Sequence, residues 1–520
     1  MYSIAITGDV DRALRRHLIR DDGDEDVCIA SYAPSTGRAR TTMLLRRVIL
    51  PGAGDRRVHG NASFHGQYVI RAASEAAEHG EGIALLHSHP GAYGWQGLSG
   101  PDFSTESDYA RVAEAITGRP ILGLTLAGED GAWSARVWAD DEQPDWAESV
   151  RVVDDQLIVT WNSGIRPAPR KTASQLRTIS AWGEHRQANI ARLRVLVIGA
   201  GSVGLDVVQR LAASGIEHMG VMDYDAVEEL NLDRMIGATR EDAIAGRSKA
   251  KVAVRLARSA ATASRFKCNS HEVSITDTEG VAIALDYDVI FSCVDRPWPR
   301  AVLNGIAYAD LIPVIDGGLS IDTFPSGEMR SSSWRVQTLV PGNPCMLCSG
   351  QIGMTDIRLD MDGLLDDEDY IRGAGLTPRF GGQNVATLAA AVSAAQLAQF
   401  VSLTAAPGGR GVPGPLRYIF SIHHLEHLPS TTGVYCPYEG DLCAGDGRVS
   451  IAASGEGWRT IVAARNLQHG RLGLLQHLGG RLGRSFAGFG NCARLSSSRR
   501  LKAPDSPSSR TARARPFRCG

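Results

Sequence analysis

The chain has 520 residues, 43% hydrophobic and 22% charged, enough apolar material for large cores in two to four domains. A formal net charge of −2 leaves no whole-chain electrostatic case for a nucleic-acid or membrane partner. Nine cysteines at this length are no disulfide scaffold, and MYSIAITGDVDRALRR lacks the apolar core and cleavage site of a signal peptide, so a cytoplasmic setting is expected.

Residues 1–160 mix short apolar runs (TTMLLRRVIL, ILGLTLAG, WSARVWA) with a helical stretch around YVIRAASEAAEHG, the pattern of a compact α+β domain. Within it, LLHSHPGAYGWQGLSGPDFSTESD runs from Leu85 to Asp108. Residues i and i+2 of a strand share a face, so His87 and His89 can aim at one metal ion, with Asp102 as third ligand. A catalytic zinc keeps its fourth position for water, whose pKa it lowers. A carboxylate is the usual general base and a serine hydroxyl can donate to the oxyanion.

Residues 161–192 hold a polar, basic, proline-containing linker (GIRPAPRKTAS) and a helix, LRTISAWGEHRQ. From Leu193, LRVLVIGAGSVGLDVVQRLAASG is a strand, a glycine-rich turn and a helix, followed by buried strands in HMGVMD and YDVIFSCVD with helices between. This alternation, which continues to about Leu428, predicts a doubly wound parallel sheet within a domain over residues 193–446. NVATLAAAVSAAQLAQFVSLTAA, from Asn384, is long enough to span a membrane, but Ser393, Gln396 and Gln399 argue for a helix buried against that sheet. Residues 447–520 are read as a basic, low-complexity, disordered tail, whose Arg, Gly and Ser richness is plainest from Gly457. A nucleic-acid-binding arm and a frame-shifted end are its two readings, the second preferred.

Gly199, Gly201 and Gly204 form G-x-G-x-x-G between strand and helix, where phosphate meets the helix's N-terminal amides, and Asp223 ends the next strand, placed for a ribose hydroxyl. Asn231, Arg234, Lys249 and Asp295 follow. Cations beside phosphates suit phosphoryl or adenylyl transfer, and a strand-end aspartate suits Mg2+. A dinucleotide oxidoreductase leaves Arg234, Lys249 and Asp295 without a role. Cys345 and Cys348, spaced C-x-x-C, are half of a structural zinc site; Cys436 and Cys443 supply the second half, with His423, His424 or His427 as substitutes. Cys293 reads as core, and no cysteine stands out as a thioester nucleophile.

His-Ser-His-Pro followed by Ser-x-x-Asp resembles the JAMM (JAB/MPN) metalloproteases, (iso)peptidases that act on ubiquitin-like or sulfur-carrier proteins. The resemblance implies catalytic Zn2+ on His87, His89 and Asp102, Ser99 as oxyanion donor and Glu25 as general base, with Glu81 as fallback. The loop between His89 and Ser99 is about two residues longer than in that family, which makes Asp108 a rival third ligand. From about Arg177 to Cys443 the chain resembles the ubiquitin-activating/ThiF/MoeB superfamily, which uses Mg·ATP to adenylate a carrier's C-terminal glycine. It implies Asp223 on ribose, Asn231, Arg234 and Lys249 on phosphates, Asp295 on Mg2+, and Arg177 reaching the ATP of a second subunit, hence a homodimer.

The expected function is bifunctional: adenylation of a β-grasp ubiquitin-like protein with C-terminal Gly, a conjugating enzyme as a further partner, and zinc-dependent cleavage of its precursor or conjugates. The alternatives are sulfur-carrier activation for thiocarboxylate formation with a carrier-processing peptidase, and a scaffold with an inactive peptidase half.

Overall fold

Alternating apolar residues of the N-terminal half fold into a mixed sheet whose central strands are buried on both faces. The computed structural model describes residues 1–59, 61–139, 142–366, 383–428 and 431–452. The strands of this first sheet are β1 (Tyr2–Thr7), β2 (Val27–Thr36), β3 (Thr41–Ile49), β6 (Gly82–His89), β7 (Ile121–Ala127), β8 (Trp133–Trp138), β9 (Asp145–Trp146), β10 (Ser149–Val153) and β11 (Leu157–Trp161), in the order β11-β10-β1-β3-β2-β6-β7-β8-β9. A hairpin of β4 (Arg56–His59) and β5 (Asn61–Phe64) stands apart from it. Helices α1 (Gly8–Leu18), α2 (Gly66–Ala77) and α3 (Gly100–Thr117) complete this half. Tyr68, Val69, Ala72, Ala73 and Ala76 make the buried stripe of α2, and Ala110 and Ala113 of α3 join the same cluster. β6 lies between antiparallel β2 and parallel β7, with His87 opposite Val27 and Thr125.

The linker runs into α4 (Leu176–Trp182) and α5 (Glu184–Arg192). The second sheet contains β12 (Arg194–Ile198), β13 (His218–Met222), β14 (Lys267–His271), β15 (Val289–Ser292), β16 (Val314–Thr323), β17 (Met329–Leu339), β18 (Leu416–Ile419) and β19 (His424–His427), ordered β14-β13-β12-β15-β16-β17-β18-β19. β14 through β16 pair in parallel, with helices α6 (Ser202–Ala213), α7 (Arg240–Ile244), α8 (Lys249–Ala260), α9 (Thr278–Ala284) and α10 (Pro297–Ala309) in the connections. Strand order reverses between β12 and β15, the topological switch point where ligands bind in such sheets. The parallel sheet expected from the sequence up to about Leu428 does not hold to its end: β16 to β19 pair antiparallel. The FPSGE segment between β16 and β17 is too short for a parallel crossover, which needs a dozen residues or more.

Helix α11 (Met354–Met361) precedes α12 (Ala386–Ala405), which packs over the second sheet, and α13 (Pro437–Gly440) follows. Among the described residues α12 is long and apolar enough to cross a membrane by length and composition. Its polar residues bond within the fold: Gln396 Nε2 donates to the Ser292 and Ile315 carbonyls at 2.9 and 2.8 Å, and Gln399 Oε1 accepts from Thr338 at 2.9 Å.

All described residues belong to one compact unit. The β2–β3 turn enters the second half, where Asp286 accepts the Ala39 and Arg40 N–H groups at 2.9 Å. Below it, Asp288 is buried against Arg40 Nη1 (2.5 Å), Arg151 Nη1 (2.9 Å) and the Arg194 N–H (2.8 Å), while Arg194 pairs with Glu148. The tail expected from residue 447 begins too early: Arg448 pairs with Asp310 at 2.9 Å, and Trp298 Nε1 donates to the Ile451 carbonyl at 2.8 Å. Residues 453–520 of that expected tail lie outside the described residues.

Candidate functional site

Two candidate centres emerge, one in each half. In the first, His87 and His89 end β6 and Asp102 sits in the first turn of α3. His87 Nε2 is 3.2 Å from His89 Nε2 and 3.6 Å from Asp102 Oδ1; His89 Nε2 is 4.0 Å from Asp102 Oδ2. Two imidazole nitrogens and a carboxylate oxygen, all within 4.8 Å of one another, fit a zinc ion. Burial, and then the charge of Arg136, lower His87 to about 3, so it presents a neutral imidazole, the form that ligates metal.

The structure brings Glu25 to this cluster. It precedes β2, whose Val27 faces His87, and it feels the charges of His89 and Asp102. Burial raises the Glu25 carboxyl, as suits a proton acceptor working nearer neutrality. Glu81 lies at the opposite end of β6, where it pairs with Arg46 (2.8 Å) and Arg47 (2.9 Å). As a fallback base it is excluded by distance: the strand between is eight residues, about 26 Å. Asp108 is exposed on α3 and stands outside the candidate ligand group, which gathers Asp102 with the two histidines despite the longer loop. Ser99 is the N-cap of α3: its Oγ donates to Asp102 Oδ2 (2.7 Å) and accepts the Asp102 N–H (3.2 Å). Its single hydroxyl proton is therefore engaged by the Asp102 carboxylate and, in this arrangement, is not free for the oxyanion-donor role expected from the sequence.

The second centre lies at the switch point. Gly199 has φ +91° with a Cβ position 2.6 Å from the Cys293 carbonyl, and a Cβ at Gly204 would sit 1.8 Å from the Gly199 carbonyl. Gly201 caps α6 and opens on free space. Asp223 accepts the Ala200 N–H at 2.6 Å and the Asp225 N–H at 2.8 Å, which ties the strand end to the turn. Burial and the neighbouring Asp225 raise Asp223 to about 6. Lys249 Nζ donates to Asp225 Oδ2 at 2.8 Å; burial lowers its pKa, but Asp225, Asp223 and Asp295 outweigh that and raise it. Asp295 is exposed beyond β15. Asn231 and Arg234 shape their own turn: Asn231 Oδ1 accepts the Glu228 N–H (3.0 Å), and Arg234 Nη1 donates to the Leu230 carbonyl (2.5 Å) and pairs with Asp233. Arg177 is exposed on α4.

Sequence reasoning missed Asp225 and Asn384. Asp225 was legible as the second acid of Asp-Tyr-Asp. Asn384 Nδ2 donates to Ser202 Oγ at 2.9 Å, at the first residue of α6; nothing local in the sequence connects positions 182 residues apart.

Cys345, Cys348 and Cys436 converge, with Cys436 Sγ 3.5 Å from Cys345 Sγ and the Gly433 N–H donating to Cys348 Sγ at 3.2 Å. Three thiols this close fit a structural zinc ion. Cys443 does not join them. It is buried with φ +57°, its N–H donates to the Tyr308 carbonyl at 3.1 Å, and its charged neighbours are Arg46, Asp310 and Glu81. The six residues after Cys436 carry it back towards the first half. The expected substitutes fail as well: His423 bonds Tyr418 at 3.0 Å, and His424 and His427 are exposed on β19. Cys293 stays in the core, packed beside α12.

Residues 172–409 match the ThiF family. The chain is 29% identical over 160 residues to the adenylyltransferase and sulfurtransferase MOCS3 of Caenorhabditis briggsae, covering 30% of this chain and 38% of that protein. It is 30% identical over 170 residues to the adenylyltransferase and sulfurtransferase uba4 of Ogataea parapolymorpha, covering 33% and 41%. The chain thus spans about two fifths of the length of these curated relatives. The solved structure of E. coli MccB with ATP is 17% identical, covers 51% of this chain and 74% of that one, and superposes with a TM-score of 0.39. The second half contains a ThiF-type domain of Rossmann-like α/β fold.

Proposed function

We propose that, on this ThiF-type domain, the chain adenylates the C-terminal glycine of a small β-grasp sulfur-carrier protein, using ATP and Mg2+. The observation that carries the reading is the crevice itself: a glycine turn opening on α6, with Lys249 held among Asp223, Asp225 and Asp295. The carrier's terminal carboxylate oxygen attacks the α-phosphorus and pyrophosphate leaves. Amides at the start of α6 and the Lys249 ammonium would face the phosphates, Asp223 would take the ribose, and Asp295 would hold Mg2+. Arg177, exposed on α4, serves the nucleotide of a second copy in a homodimer. The curated relatives are named for adenylyl and sulfur transfer, which favours the sulfur-carrier reading over ubiquitin-like conjugation and reverses the order drawn from sequence. The conjugating enzyme belongs to the displaced reading.

The first half is proposed as a JAMM-like peptidase that processes the same carrier. His87, His89 and Asp102 would hold a zinc ion, which when bound would supply Lewis-acid activation of water and carbonyl. Glu25 accepts the proton and passes it to the leaving amine, and Ser99 holds Asp102 in place. The product, a free terminal carboxylate, is what the other site activates.

The test is ATP–pyrophosphate exchange with sulfur-carrier proteins ending in glycine, for wild type and Asp295→Ala. Exchange that requires both carrier and Asp295 supports the reading. Protein that binds Mg·ATP yet exchanges with no carrier rejects it. Glu25→Gln abolishes cleavage of an extended carrier at unchanged zinc content; cleavage that persists removes Glu25 as the general base, and a wild type that never cleaves removes the peptidase role and leaves a scaffold.

A further inference from the structure

The joint between the two halves carries more positive charge than its carboxylates answer. Arg40 and Arg151 lie on Asp288, and Arg194 lies on Glu148. Both carboxylates are buried, at 0% and 1% exposed. Arg166, half-buried in the linker, feels the charges of Asp288, Glu148, Arg40 and Arg194. Its own donors go to a neutral oxygen, the Arg192 carbonyl, at 2.8 Å. With Asp286 at the rim included, these four arginines face three carboxylates, a surplus of one positive charge. Burial, and then the adjacent arginines, lower both Arg151 and Arg166 to about 10, as expected of cations short of countercharge.

Hydrogen bonding locates the shortfall. Arg151, on β10, is 0% exposed, and its Nη1 donates to Asp288 at 2.9 Å. Nε and Nη2, the two donors of its bidentate edge, are buried without a partner among the described residues. Ser149 stands two residues earlier, so both side chains rise from the same face of β10, and Ser149 Oγ is buried and unpartnered as well. Trp161 lies opposite Ser149 on β11 with Nε1 in the same condition, and the Arg166 guanidinium covers its ring at 5.3 Å. Four N–H and O–H donors at neighbouring positions of one sheet region therefore lack an acceptor. Buried donors in this state are rare and need an account. A water molecule would accept two hydrogen bonds but bring no charge. An anion answers the donors and the surplus together.

We propose that the Arg151 fork and Ser149 Oγ, with Trp161 Nε1 alongside, bind a small monovalent anion of the chloride type between the β10–β11 hairpin and the Asp288 turn before β15. A doubly charged oxyanion overshoots the surplus and costs far more to strip of water. The site lies away from both proposed reaction centres and depends on neither. Its role is to bind the first half to the second, since its ligands come from β10 and β11 while the charge it complements is shared with Asp288 and Arg194.

The test is thermal and urea unfolding of the full chain across a chloride titration, with gluconate, too bulky for a buried site, holding ionic strength constant. Ser149→Ala removes one donor and leaves the Arg151–Asp288 pair intact. Arg151→Lys keeps the charge and loses the fork. Wild type is expected to gain about tenfold in its folding constant for each tenfold rise in chloride above the dissociation constant. Ser149→Ala needs more chloride for the same gain, and Arg151→Lys, where it folds, loses the chloride response. Crystals soaked in bromide show an anomalous peak in contact with Arg151 Nε and Nη2. Wild type that unfolds alike in chloride and gluconate overturns the proposal and assigns the donors to water. So does a chloride response of wild-type size in Ser149→Ala, or bromide found only away from Arg151.

Discussion

At the scale of single residues, neighbouring glycines separate fold from function. Gly201→Ala places its methyl in open space at an ordinary φ of −80°, so the protein keeps its stability and loses nucleotide affinity where phosphate would approach. Gly204→Ala drives a methyl into the Gly199 carbonyl and costs about 1–3 kcal/mol as well. Urea unfolding beside ATP binding distinguishes them; equal stability loss in both would break the assignment of the turn. The cysteines divide similarly. Cys348→Ser lowers zinc content, and Cys443→Ser does not, because Cys443 is turned towards Arg46 and Asp310. Metal analysis that shows the reverse would restore Cys443 as a ligand. Cys345 and Cys348 were legible from their spacing, whereas the fate of Cys443 was not: six intervening residues permit either direction of chain travel.

At the scale of elements, α3 carries the most consequence for the metal cluster. Its Ser99 and Asp102 form a reciprocal capping box, so the residue that starts the helix also orients the carboxylate of the candidate metal cluster. Ser99→Ala is expected to cost about 1 kcal/mol of stability through the lost cap and to weaken zinc binding, both measurable on one preparation by thermal melts and chelator titration. Unchanged zinc affinity would reduce Ser99 to a cap. α12 makes the complementary point. Its composition alone passes for a membrane span, yet Gln396 completes the hydrogen bonding of β15 and β16. The buried amide, legible as Gln in an apolar run, gave the helix away.

At the scale of the molecule, the two halves are joined through charge. Asp288 gathers Arg40, Arg151 and the Arg194 backbone, with Glu148 alongside, all removed from water. Asp288→Asn leaves two buried guanidinium groups short of a countercharge. Removing one partner of a buried pair costs about 3–5 kcal/mol. Calorimetry is expected to show one transition, shifted down, for both halves together; an N-terminal half that melts at its original temperature would show the joint to be unimportant.

The sequence by itself determined the local chemistry: His87 and His89 on one strand face, the glycine turn before α6, the acid at the end of the next strand, and the adjacent pair Cys345 and Cys348. Each follows from backbone periodicity or short-range sterics, which act within a few residues. Only the tertiary structure placed Glu25 and not Glu81 beside the two histidines, gathered Asp102 and not Asp108 with them, and turned Cys443 away from the other cysteines. It also turned the sheet antiparallel after β16 and brought Asn384 to Ser202 and Arg136 behind His87. Those outcomes depend on which strands lie side by side, and strand adjacency is set by burial across the whole core rather than by any stretch of neighbouring residues.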